Sequence, residues 1–102
     1  SKCNVTIKRG TKVIAEIGPI QSLTNDQCRH EQNKMFDDIC MELAGEAAQS
    51  SSPVTVHGRW RNELGDISLG SGFEPRQCLA DGTHKCPAGY FKDSKGRCVS
   101  LI

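Results

Sequence analysis

The sequence predicts an α+β fold: an antiparallel sheet with one long amphipathic helix packed on it, a disulfide-stapled two-layer sandwich. Three observations predict it. One stretch, Cys28 to Ala48, sustains an apolar period of about 3.6 residues. On both sides of that stretch the period drops to two, as in strands. Finally, hydrophobic content is 36% and aromatic content 5% in 102 residues, which is a thin core, and six cysteines are present to staple it. A helix laid across an antiparallel sheet buries both apolar faces at once.

The elements follow in order. Cys3 to Lys8 alternates, with Cys3, Val5 and Ile7 on one side and Asn4, Thr6 and Lys8 on the other. Arg9-Gly10-Thr11 is a turn, and Lys12 to Ile17 is the returning strand of a hairpin, ended by Gly18-Pro19. Leu23 is placed as the hydrophobic staple residue before the helix. Thr24, Asn25 and Asp26 are N-cap candidates, and Thr24 with Gln27 fits a capping box. Within the helix, Cys28, Gln32, Met35, Phe36, Ile39, Cys40, Leu43 and Ala47 share a face about 140° wide. Gly45 is expected to loosen the last turn, and Gln49 to Pro53 is a polar connection. Val54 to Arg61 alternates again, placing Val54, Val56, Gly58 and Trp60 on one face and Thr55, His57, Arg59 and Arg61 on the other. Asn62 to Asp66 reads as a turn. Ile67 to Leu69 begins a return strand that Gly70-Ser71-Gly72 interrupts, and Phe73 to Cys78 is a further extended piece.

Residues 1–102 read as one domain whose segment 85–99 is a cysteine-clamped C-terminal hairpin. Its turn is Asp93-Ser94-Lys95-Gly96, with Tyr90-Phe91 pairing across to Arg97-Cys98-Val99. All six cysteines, Cys3, Cys28, Cys40, Cys78, Cys86 and Cys98, are expected in disulfides. Their spacing lacks the close pairs that a zinc module needs. Cys28 and Cys40 lie about 18 Å apart along a helix and cannot bond to each other. Cys86–Cys98 is the favoured clasp of the tail, with Cys78–Cys86 also short enough. Six cysteines allow about 15 connectivities, and the remainder stays open.

Disulfides imply an oxidising compartment, so the chain is expected to be secreted and extracellular, in a mature form with any leader removed. No apolar run is long enough to cross a bilayer as a helix. The formal net charge is +1, with 13 basic and 12 acidic side chains, so the whole chain has no bulk attraction to nucleic acid. Asn4-Val5-Thr6 is a glycosylation sequon at Asn4. His30, His57 and His84 show no metal-ligand spacing, an even cysteine count leaves no nucleophilic thiol, and no cofactor is expected.

Two stretches could carry recognition. Trp60 is flanked by Arg59 and Arg61, the composition of an interface hot spot if the ring faces outward; its alternation with Val54 and Val56 instead favours core. The tail presents Tyr90, Phe91, Lys92, Lys95 and Arg97 on a rigid clasp that loses little entropy on binding. One catalytic reading exists. His57, Arg59 and Arg61 share a strand face that Glu63 could join, and an imidazole, a carboxylate and a guanidinium are what ribonuclease chemistry needs. The same alternation is also what any solvated strand face shows.

The hairpin–helix–sheet order is similar to that of the small fungal ribonucleases. Cys28 and Cys40 on the helix, with Cys3, Cys78, Cys86 and Cys98 around it, resemble the layout of small secreted cysteine-rich fungal effectors and killer toxins of the α/β-sandwich type. That resemblance implies an extracellular, non-enzymatic monomer acting on a host or competitor protein, a receptor or hydrolase, by protein contacts. The tail run from Cys86 to Cys98 also looks like the knots of EGF-type or trypsin-inhibitor-like modules, which implies a hydrolase inhibitor as the alternative.

Overall fold

The structure is a computed structural model, and it describes residues 1–21 and 24–100. Among them one helix and seven strands form, in the order β1 (Lys2–Arg9), β2 (Lys12–Gln21), α1 (Asn25–Ser50), β3 (Val54–Leu64), β4 (Ile67–Cys78), β5 (His84–Lys85), β6 (Tyr90–Lys92) and β7 (Cys98–Ser100). The first five strands make one antiparallel sheet ordered β2-β1-β3-β4-β5, and β6-β7 is a separate two-stranded ribbon. The α+β expectation holds, with α1 packed across β1, β3 and β4.

The helix begins where its cap dictates. Thr24 Oγ1 accepts the Gln27 N–H at 3.2 Å, and Gln27 Oε1 accepts the Thr24 N–H at 2.9 Å, a complete capping box. The staple expected at Leu23 lies outside the described residues. Gly45 does not loosen the end, because the helix runs on to Ser50 and closes at Ser51 in the left-handed region, φ 54°. Cys28, Gln32, Phe36, Ile39, Cys40 and Ala47 are buried, with Met35 and Leu43 packed at the margin, so the apolar face is the one the periodicity marks.

Three strand boundaries differ from expectation. Strand β2 does not stop at Gly18-Pro19. It lies at the edge of the sheet and pairs only with β1, so the missing proline N–H removes no ladder bond on a second side. Strand β3 runs through Asn62 and Glu63 to Leu64, and the turn shrinks to Gly65-Asp66, with Gly65 at φ 61°. Asn62 belongs to the strand because it is buried and donates to Asn25 Oδ1 at 2.9 Å on the helix. Strand β4 is continuous across Gly70-Ser71-Gly72. The glycines there mark close approach rather than a break: a β-carbon on Gly72 would overlap the Trp60 indole nitrogen, and one on Gly70 would fall 2.5 Å from Asn25 Nδ2.

Disulfides tie the layers. Cys3–Cys28 joins β1 to the helix start, Cys40–Cys78 joins the helix middle to the end of β4, and Cys86–Cys98 clasps the tail. The two helix cysteines thus reach outward at two levels. A buried polar cluster fastens the tail. Glu74, on the helix-facing side of β4, accepts from Gln32 Nε2 at 2.7 Å, Arg76 Nη2 at 3.1 Å and the Cys98 N–H at 2.8 Å. Arg76 also donates to the Gly96 carbonyl at 2.9 Å and lies over the Phe36 ring. Every hydrogen bond in this cluster lowers the cost of burying two charges in a small core.

Candidate functional site

Strand β3 sorts its side chains cleanly. Val54, Val56, Gly58, Trp60 and Asn62 are buried beneath the helix, so Thr55, His57, Arg59, Arg61 and Glu63 stand on the opposite, outer face. The register then adds neighbours from both sides. On β1, Lys8 lies opposite His57, Thr6 opposite Arg59, and Asn4 opposite Arg61. On β4, Phe73 lies opposite Arg59 and Ser71 opposite Arg61. Glu16 of β2 sits opposite Thr6, at the outer margin of the same face.

The polar sides of three strands therefore merge into one surface, and a cleft of about 430 Å³ lies in it. Its wall includes Lys8, His57, Arg59, Arg61 and Phe73, and no carboxylate. Phe73 is 60% exposed, a large ring held outside the core. The His57 ring stacks on it at 5.5 Å between centroids with 12° between planes, and the Arg59 guanidinium carbon lies 5.6 Å from its centroid. At the rim, Glu63 Oε1 accepts from Arg61 Nη2 at 3.2 Å. Glu63 thus does join the face named by the sequence, but as a partner of Arg61. It stands six residues from His57 on one extended strand, about 20 Å away.

The sequence-marked residues divide into two groups. Arg59 and Arg61 belong to the outer face. Trp60 does not join them: it is 8% exposed and lies against Gly72 in the core, so alternation excludes it as a surface anchor. The tail group, Tyr90, Phe91, Lys92, Lys95 and Arg97, stands on the helix side of the sheet. Arg29 Nη1 donates to the Lys95 carbonyl at 2.6 Å, and Glu74 and Arg76 hold Cys98 and Gly96 from beneath. The tail hairpin has the expected turn, closed by the Gly96 N–H donating to the Asp93 carbonyl. Its register differs from expectation: Tyr90 pairs with Ser100, Phe91 with Val99 and Lys92 with Cys98, and Arg97 stays in the loop, where Asp93 holds it. Asp93 organises that turn. The Arg97 backbone N–H, the Arg97 side chain and the Lys95 N–H hold its carboxyl below the usual carboxylate range.

Asn4 of the sequon is exposed on the outer face at the cleft wall. The histidines sit apart: His30 is exposed on the helix, His57 is in the cleft, and His84 bonds Asp37 at 2.7 Å. Among the described residues no three His, Cys, Asp or Glu side chains gather as a metal site. Every cysteine is bonded.

Lys8 and Phe73 are the site residues that the sequence reading did not select. The alternation of β1 already placed Lys8 on a polar side. What sequence could not supply was that β1 lies beside β3, a pairing made across the whole helix. Comparison with known protein families, with curated proteins and with solved structures found no match to this chain.

Proposed function

We propose that this chain is a secreted, non-enzymatic interaction protein of the effector or toxin kind that its layout resembles, and that it engages its partner through the outer sheet face around Arg59 and Phe73. The observation that carries this reading is Phe73, left 60% exposed beside an arginine on a sheet face that the helix does not cover. An aromatic ring and a guanidinium on a rigid scaffold are the composition of a binding hot spot. The three disulfides support both the rigidity and the extracellular setting.

Reach counts against acid–base catalysis by His57 and Glu63. A general acid and base for one phosphodiester must both contact that phosphate group. His57 and Glu63, about 20 Å apart on one strand, do not share a substrate atom. The inhibitor alternative has less support, since the clasped tail is held down by Arg29, Glu74 and Arg76 rather than projecting as a free loop.

The test applies purified protein to microbial and plant cells and scores surface labelling and growth. Wild type is expected to label or inhibit a responsive cell type, and Phe73→Ala with Arg59→Ala is expected to lose that effect. Unchanged activity in the double variant would sink the surface assignment. Digestion of RNA by wild type, abolished in His57→Ala, would sink the non-enzymatic half.

A further inference from the structure

The cleft has the chemistry of a particular partner. We infer that this face binds a single-stranded nucleic acid, with bases stacked against Phe73 and phosphates held by Lys8, Arg59 and, in exchange for its exposed partner Glu63, Arg61. This rests on the outer face being the binding surface.

Four features carry the inference. First, the charges are segregated. The whole chain is nearly neutral, yet the cleft wall has cations from two strands and no carboxylate. Lys8 and Arg59 have no ion-pair partner among the described residues, so their charge is available to an anion. Second, the cations recur along a line. Arg59 and Arg61 are alternate residues on one face, about 6.6 Å apart, close to the phosphate repeat of an extended single strand. Third, the Phe73 ring stays 60% exposed although His57 stacks on it and Arg59 lies over it, so an incoming base would extend that stack. Bases stack on such exposed rings only when unpaired, which selects a single strand over a duplex. Fourth, the cleft does not end at Phe73. A second depression of about 380 Å³ shares Arg59, Arg61 and Phe73 and continues past Glu63, the partner of Arg61, to Ser68 and Ser71. A groove passing the ring on both sides suits a linear polymer better than a compact anion. A sulfated polysaccharide would use the cations but has no planar ring for Phe73, and a phosphopeptide has no regular phosphate repeat. Asn4 and Thr6 supply hydrogen-bonding groups along the wall.

The experiment is fluorescence anisotropy with short labelled uridine-rich RNA and its thymidine-rich DNA counterpart. A duplex of equal length and a heparin oligosaccharide are the comparators. Single strands of either sugar are expected to bind more tightly than duplex or heparin. Phe73→Ala is expected to weaken single-strand binding about tenfold, as loss of one base stack does. Phe73→Trp should restore it. Arg59→Ala should weaken binding and reduce the salt slope by about one charge. Circular dichroism of each variant checks that the fold is retained. Absence of oligonucleotide binding would overturn the inference, as would equal binding of heparin and single strand that ignores Phe73→Ala. If oligonucleotides do not bind while cell activity still falls in the Phe73 and Arg59 variants, this inference alone fails. If cell activity ignores those variants, the surface assignment fails with it.

Discussion

The Glu74 carboxylate accepts the Cys98 backbone N–H at 2.8 Å, and this bond ties the tail hairpin to the sheet. The same carboxylate is the counter-ion of Arg76, and their side chains are 7% and 2% exposed. Glu74→Gln keeps the shape but strands a buried guanidinium. Loss of one partner of a buried pair costs about 3–5 kcal/mol. Urea unfolding followed by Trp60 fluorescence is expected to show a midpoint lowered accordingly. An unchanged midpoint would mean that Arg76 is satisfied without Glu74.

Gly58 of β3 lies against Phe36 of the helix. A β-carbon there would stand 2.5 Å from Phe36 Cζ and 2.8 Å from Gln32 Oε1, both in fully buried side chains. Gly58→Ala is therefore an overpacking substitution and is expected to cost about 1–3 kcal/mol. Phe36→Leu in the same background should recover part of that loss, a non-additivity that thermal melts of the four variants measure.

Asp93 has a folded-state pKa held below its unfolded value, chiefly by the Arg97 backbone N–H. Its stabilisation of the tail turn is therefore present above the unfolded value, near about pH 4. It is lost as pH falls through the lower folded value. Amide exchange of Arg97 and Lys95, followed by NMR in mild acid, is expected to show this loosening, confined to the tail. Asp93→Asn should remove the acid dependence and leave that of the sheet unchanged.

The site residues are expected to be separable from stability. Arg59 and Phe73 are exposed, so Arg59→Ala and Phe73→Ala should each shift unfolding by no more than about 0.5 kcal/mol. A larger shift in the denaturation midpoint would mean that the Arg59–Phe73–His57 stack holds the sheet together.

Removal of the tail disulfide should leave the body intact. Its sequence separation of 12 closes a short loop, worth about 3 kcal/mol in the chain-entropy account, against about 4 kcal/mol for the separation of 38 between Cys40 and Cys78. Cys86→Ala with Cys98→Ala is expected to retain the near-ultraviolet signal of Trp60. The Cys40 and Cys78 pair of replacements should lose more of it. The reverse order would mean that the body depends on its tail.

Periodicity made the helix, β1 and the inward face of β3 legible, because each buries one side against a core and so writes a repeat into the chain. The glycines of β4 carry an ambiguous signal for a physical reason. Gly70 and Gly72 make room for Asn25 and Trp60, and close approach and chain reversal use the same residue. That ambiguity conceals Phe73, which reads as the start of a new piece when the strand is broken before it. Half of the site was visible in Arg59 and Arg61. The other half came from β1 and β4, whose adjacency to β3 is a matter of topology and leaves no local signal.

The three disulfides join cysteines that are consecutive in the chain: first to second, third to fourth, fifth to sixth. No ring encloses another cysteine. In any oxidising setting where the chain emerges from its N-terminus, each newly emerged second cysteine would find a single unpaired thiol already waiting, and that thiol would be its native partner. Cross-linking can thus proceed in step with chain emergence, with no isomerase needed to undo a wrong pair.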